Sequence, residues 1–192
     1  MQIFKIFLSV EICERMEYNK HIHSLICKAA KSEMEEDALM EIRPAVYEDI
    51  PALLPLYRCL FSESAQLQPY NFRAADQAED FLKKTIDGPG STILTAVRDG
   101  EIAGFAVLFE QQTPSYNCLV PHRYAYLMDL IVQPELREIG IGSGLIDAAK
   151  DWARERKLDH LELNVLPENK TAAHLYERNG FEPSLCRMQY RF

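Results

Sequence analysis

The chain has 192 residues, is 47% apolar and carries a net charge of −8 at pH 7. That length suits one domain, or one domain with an appendage, and the apolar content supports a sizeable core. No apolar run reaches the ~18 residues of a membrane-spanning helix, and the acidic balance argues against nucleic-acid affinity while favouring cationic partners.

Residues 1–39 differ from the rest. Residues 1–10 are apolar but contain Lys5, and no small-residue cleavage site comes after them, so a cleaved signal peptide is not expected. Residues 12–31 have helical spacing, with Ile22, Leu25, Ile26 and Ala29 on one face. Residues 33–37 are an acidic, solvated run. The segment reads as an N-terminal extension, either an appended helix or a stretch translated ahead of the native start.

From residue 40 the pattern becomes that of a folded domain, 40–192. Residues 40–43 read as a strand. A helix over 47–61 starts near Asp49 and Pro51, and Pro55 is expected to kink or divide it. A second helix over 74–86 is stopped by Asp87-Gly88-Pro89-Gly90. Strands 92–98 and 101–110 flank the hairpin signal Asp99-Gly100. Residues 111–122 form a loop, and 124–132 a fourth strand. The helix over 141–156 turns Leu145, Ala149 and Trp152 inward and ends in Arg154, Arg156 and Lys157, near its negative pole. A strand over 161–165 precedes a helix capped by Asn169 and stopped by Asn179 and Gly180. Residues 185–192 read as a last strand. The fold class is α/β (α+β), a mixed sheet flanked by helices.

Cys13, Cys27, Cys59, Cys118 and Cys186 are scattered, odd in number and lack metal-type spacing. Reduced thiols in a cytoplasmic protein are the expectation, with no metal site. His21 and His23 read as surface residues.

Residues 136–144, Leu-Arg-Glu-Ile-Gly-Ile-Gly-Ser-Gly, lie between a predicted strand and a predicted helix. The first turn of a helix has unpaired N–H groups and the positive end of the macrodipole, so it suits a phosphate. Arg137 adds a cation. A Walker A loop would need Gly-Lys-Ser/Thr, which is absent, and a dinucleotide fingerprint would need glycine where Leu145 stands. Arg137, Gly140 and Gly142 instead fit Arg/Gln-x-x-Gly-x-Gly/Ala. A glycine-rich turn without a ligand is the plain alternative.

A second run lies further on, Asn169-Lys-Thr-Ala172-Ala-His-Leu175-Tyr176-Glu-Arg-Asn-Gly180-Phe181. Asn169, Ala172 and Tyr176 are spaced by three and four, so one helix face carries an amide, a small residue and a phenol. The two runs, in this order, resemble the signatures of the GNAT superfamily of acyl-CoA-dependent N-acyltransferases. The resemblance covers roughly residues 40–192 and implies a mixed, mostly antiparallel sheet. It also implies acetyl transfer from acetyl-CoA, a co-substrate, to a primary amine, without a metal.

By the same resemblance Arg137, Gly140, Ile141, Gly142 and Ser143 hold the diphosphate. Backbone groups of Leu130, Ile131 and Val132 hold the acetyl carbonyl and the pantetheine arm, and Asn169 contacts the coenzyme or orders water. Tyr176 is the general acid; a phenol of free pKa ~10 is protonated at neutral pH. Asp129 stands where several such enzymes carry an acid. It is a base or amine anchor, or a structural hydrogen-bonding residue. Simple alternation puts Asp129 opposite Tyr126, Met128 and Leu130, unless a bulge intervenes.

The acceptor is left open: a small amine, a polyamine, an aminoglycoside, an amino acid or a protein N-terminus. Residues 62–73, with Tyr70 and Phe72, and 111–122, with Tyr116, are the candidate rims. No nucleic-acid or membrane partner is expected, and a homodimer is admitted. The alternatives are a catalytically idle acyl-CoA-binding regulatory domain and a protein N-terminal acetyltransferase.

Overall fold

The computed structural model describes Met40–Phe192, so the helix and acidic run expected within residues 1–39 lie outside the described residues. Five strands of the described residues form one sheet in chain order: β1 (Met40–Pro44), β2 (Ser91–Arg98), β3 (Glu101–Gln112), β4 (Arg123–Val132) and β5 (His160–Leu163). The first three pairings are antiparallel and β4–β5 is parallel. Asp99 and Gly100 join β2 to β3 with φ of 53° and 83°, the left-handed pair that a tight hairpin needs. Among the described residues four α-helices flank the sheet: α1 (Ile50–Leu67), α2 (Glu79–Asp87), α3 (Ile141–Glu155) and α4 (Lys170–Arg178). The parallel pair requires a crossover, and α3 supplies it.

Each sheet face has its own core. On one, Leu53, Leu56 and Tyr57 of α1 and Leu82 of α2 pack on Ile93, Phe105, Val107 and Ile131. On the other, Ile141, Leu145 and Ala149 of α3 pack on Leu94, Ala106, Leu108 and Leu127. Alternate residues of β3 serve the two cores, so this strand is buried on both faces and nearly continuously apolar. Each fully buried Leu or Ile contributes about 1.5–3 kcal/mol.

Three expectations are corrected. α1 passes Pro55 undivided and runs on to Leu67, taking in part of the expected rim. Pro55 lies near the helix start, so little of the helical ladder is lost. α2 begins at Glu79, not at residue 74: Ala78 is extended, and its N–H donates to Gln77 Oε1 at 2.9 Å. Residues 185–192 form no strand. Their alternation is strand-like, but a strand needs a hydrogen-bonding neighbour, and no described edge pairs with them. Arg191 instead covers the Tyr70 ring, 3.9 Å from its centroid.

Candidate active site

The register between β3 and β4 runs Leu108↔Leu127 and then Val107↔Asp129, which leaves Met128 as a bulge. Opposed residues share a face. Leu127 therefore points with Leu108 into the α3-side core, whereas Asp129 points with Val107 toward α1. Tyr126, opposite Phe109, also lies on the α1 side. The alternation that separated Asp129 from Tyr126 thus fails, because the extra residue re-aims the side chains after it. Leu130, opposite Ala106, does face the other way.

β5 pairs with β4 only from Tyr124↔His160 to Leu127↔Leu163. From Met128 to Val132, β4 has no neighbour on that side among the described residues. The sheet opens there, and backbone groups of the stretch holding Leu130, Ile131 and Val132 line the gap.

The loop after β4 ends at this opening. Glu138 and Gly140 have φ of 67° and 96°, and α3 starts directly after Gly140. Left-handed residues in such a loop turn successive N–H groups to one side, forming an anion-binding concavity. Among the described residues no side chain caps α3, and the N–H groups of Ile141, Gly142 and Ser143 have no partner there. A Cβ on Gly142 would sit 3.1 Å from Leu175 Cδ2, so this glycine serves the close contact of α3 with α4. Arg137 donates Nε to the Val132 carbonyl at 3.1 Å and pairs with Glu63 of α1 at 2.6 Å. Its charge is thus shared with a carboxylate, and the loop is pinned to both β4 and α1.

Asn169 caps α4, its Oδ1 accepting from the Ala172 N–H at 3.0 Å. Asn179 closes the other end, with Gly180 left-handed behind it at φ 84°. Asn179 Nδ2 also donates to Ser143 Oγ at 3.1 Å and ties α4 to the first turn of α3. Nothing in the sequence pattern marks that bond.

Tyr176 is half-buried on the α3-side core, edge-on to Phe181. Burial, and then the charge of Asp129, push its phenol up to about 12. Asp129 is on the α1 side of β4, near enough for its charge to act on that phenol. Burial raises its carboxyl above the usual range, against the pull of a hydrogen bond from Tyr57. Tyr57 Oη donates to Asp129 Oδ2 at 3.1 Å. Sequence reasoning missed Tyr57: with Leu53 and Phe61 it reads as the buried face of α1, and only the fold shows where its hydroxyl ends.

Other side chains bear on the site differently. Cys59 donates to Glu63 Oε1 at 3.5 Å, and burial pushes its thiol up, the opposite of an activated nucleophile. Tyr124 and Tyr126 stand opposite His160 and Glu162, so all four share the α1 face with Asp129. Asn164 Nδ2 donates to Tyr126 Oη at 2.9 Å. Gln68, at the end of α1, bonds Glu168 at 2.6 Å and links the expected rim to the loop before α4. Tyr70 and Tyr116 are exposed, as rim residues would be.

The pattern of the Acetyltransferase (GNAT) family matches residues 50–181, and the chain belongs to that family: it is an acetyl-CoA-dependent N-acetyltransferase. Among its relatives, the uncharacterized N-acetyltransferase YhfO of Bacillus subtilis (strain 168) is 36% identical over 154 residues, 79% of this chain and 95% of YhfO. A mutant of the BH1408 protein from Bacillus halodurans shares the fold with a TM-score of 0.76 at 22% identity, over 79% of this chain and 99% of that one. The aminoglycoside N-acetyltransferase AAC(6')-Iy, solved in complex with CoA, shares it with a TM-score of 0.61 at 21% identity, over 81% and 95%.

Proposed function

We infer that this enzyme acetylates a cationic primary amine in the gap between β4 and β5, with Asp129 as base and Tyr176 as acid. One observation carries the reading: the charge of Asp129, on the α1 side of β4, acts on the Tyr176 phenol of α4, the helix tied to the first turn of α3. The loop of Arg137, Gly140, Ile141, Gly142 and Ser143 fits a diphosphate, and the unpaired edge at Leu130, Ile131 and Val132 fits an extended amide-bearing arm. Asn169 stands at the start of α4, beside the arm's path. Acetyl-CoA, when bound there, supplies the acyl group and a thiolate leaving group.

The amine approaches from the α1 face. It is protonated in water and must lose a proton before it attacks. Asp129, whose carboxyl titrates above the usual range, is suited to take that proton. Its charge is one cause of the high Tyr176 pKa, so taking up the proton removes that cause. Tyr176 thereby becomes a stronger donor as the thiolate departs.

Glu162, Tyr124 and Tyr126 extend the same face away from Asp129 and suit an acceptor with a further positive charge. The AAC(6')-Iy relative, an aminoglycoside acetyltransferase, points the same way. A panel of mono- and diamines, aminoglycosides, amino acids and N-terminal peptides, with acetyl-CoA and thiol-release detection, tests the reading. Turnover confined to uncharged or acidic acceptors would defeat it.

A further inference from the structure

We propose that Tyr57 is a positioning residue for amine deprotonation: its hydroxyl holds Asp129 by Oδ2 and leaves Oδ1 turned to the acceptor. The proposal rests on the reading of Asp129 as the base. It starts from the burial of Tyr57, which has no exposed surface and is locked between Phe105 at 4.6 Å, Phe61 at 5.4 Å and Phe81 at 6.4 Å. An aromatic cluster this dense needs no hydroxyl. A buried phenol is costly unless its O–H finds a partner. Phenylalanine would pack as well, yet the chain carries an oxygen there, and that oxygen reaches Asp129.

The carboxylate is held asymmetrically. Oδ2 accepts from Tyr57 at 3.1 Å, and Oδ1 has no partner among the described residues. Yet no buried side-chain oxygen of the described residues lacks a partner. Oδ1 therefore keeps some accessible surface, and the carboxyl lies on the sheet face that carries Tyr126 and Glu162. The bulge at Met128 aims the carboxyl, α1 supplies the clamp, and the free oxygen is the one an amine can reach.

The surroundings make the clamp matter. Asp129 is flanked by Val107 on β3 and by Ile131 on its own strand, both apolar, and across the Met128 bulge by Tyr126 on the same face. Tyr57 from α1 and Tyr176 from α4 are titratable groups around it, with Tyr126 and Glu162 further along the same sheet face. Gln77, ahead of α2, is an uncharged neighbour of the Tyr57 hydroxyl. Among the described residues no cation is paired with Asp129, so the Tyr57 O–H is the main support of the ionised form. A donor that stabilises the charged form lowers the pKa. Removing it raises the pKa, lowers the fraction of free base at a given pH, and moves the acid limb of activity to higher pH.

The test uses the full chain and the best amine from the panel. Tyr57→Phe should move the acid limb of kcat/KM for the amine up by about one pH unit, while KM for acetyl-CoA is unchanged. Below the limb this is about a tenfold loss. Replacing Tyr57 with 3-fluorotyrosine keeps the hydroxyl, makes it a stronger donor and should move the limb down. It carries the test if the phenylalanine variant fails to fold. The titration of the Asp129 carboxyl, followed by 13C NMR, should shift in the same two directions. Limbs that stay in place in both variants, while Asp129→Asn abolishes turnover, would overturn the role of Tyr57 alone. Wild-type turnover and an unchanged limb in Asp129→Asn would instead sink the reading of Asp129 as the base.

Discussion

A carboxylate introduced at position 143 separates binding from folding, because the two respond with opposite sign. Ser143 is in the first turn of α3, where no acid is present and no side chain caps the helix. An added negative charge there meets the positive helix end and should stabilise the fold by about 0.3–1 kcal/mol. For a domain of this size, that raises Tm by roughly 1–3 °C. Ser143→Asp also keeps an acceptor for Asn179 Nδ2, so the tie between α3 and α4 survives. The same charge would face the diphosphate. At ~6 Å and an effective dielectric of ~40, two like-charge pairs cost about 3 kcal/mol, or ~100-fold in Kd. Calorimetry with acetyl-CoA and a thermal melt of the same sample read the two effects. Gly142→Glu is the poorer probe, since its Cβ already presses on Leu175 and would disturb α4. A folded Ser143→Asp enzyme that binds acetyl-CoA like the parent would remove the loop from the site.

Other predictions bear on the chemistry and the boundaries. Tyr176→Phe should lower kcat on the order of 10²-fold and leave acetyl-CoA affinity alone, since the proton is used only as the thiolate leaves; equal turnover would leave the residue a packing role. Asp129→Asn should raise Tm at pH 7, by about 3–6 °C for a gain of about 1–2 kcal/mol. The sign comes from the raised carboxyl: burial disfavours the charged form, so the cost is absent below the unfolded pKa, grows as pH rises and is complete above the folded pKa. The gain should therefore vanish in acid, and a gain independent of pH would contradict it. Glu162→Gln should raise KM for diamines but not for monoamines of equal length, as measured by thiol release. Removal of residues 1–33, leaving a chain that starts at Met34, should keep acetyl-CoA binding and the melting temperature close to the parent; aggregation or lost binding would place those residues within the working enzyme.

Much of the site is local and so was legible in the residues themselves. The left-handed turns at Asp99-Gly100 and Gly180, the Asn169 cap and the start of α3 after Gly140 each depend on a few neighbouring dihedrals and hydrogen bonds. A short stretch of sequence specifies these without knowledge of the rest of the chain. The buried face of α3 comes likewise from spacing. The features that the tertiary structure alone decided involve partners far apart in the chain. Whether Asp129 faces α1 or α3 depends on one unpaired residue, Met128, and thus on the register with β3, because the side-chain period of a strand is two. Tyr57 meets Asp129 and Arg137 meets Glu63 only once α1 lies across the sheet. Residues 185–192 carry a strand's alternation and form none, because alternation makes a segment competent to pair but cannot supply the neighbouring edge.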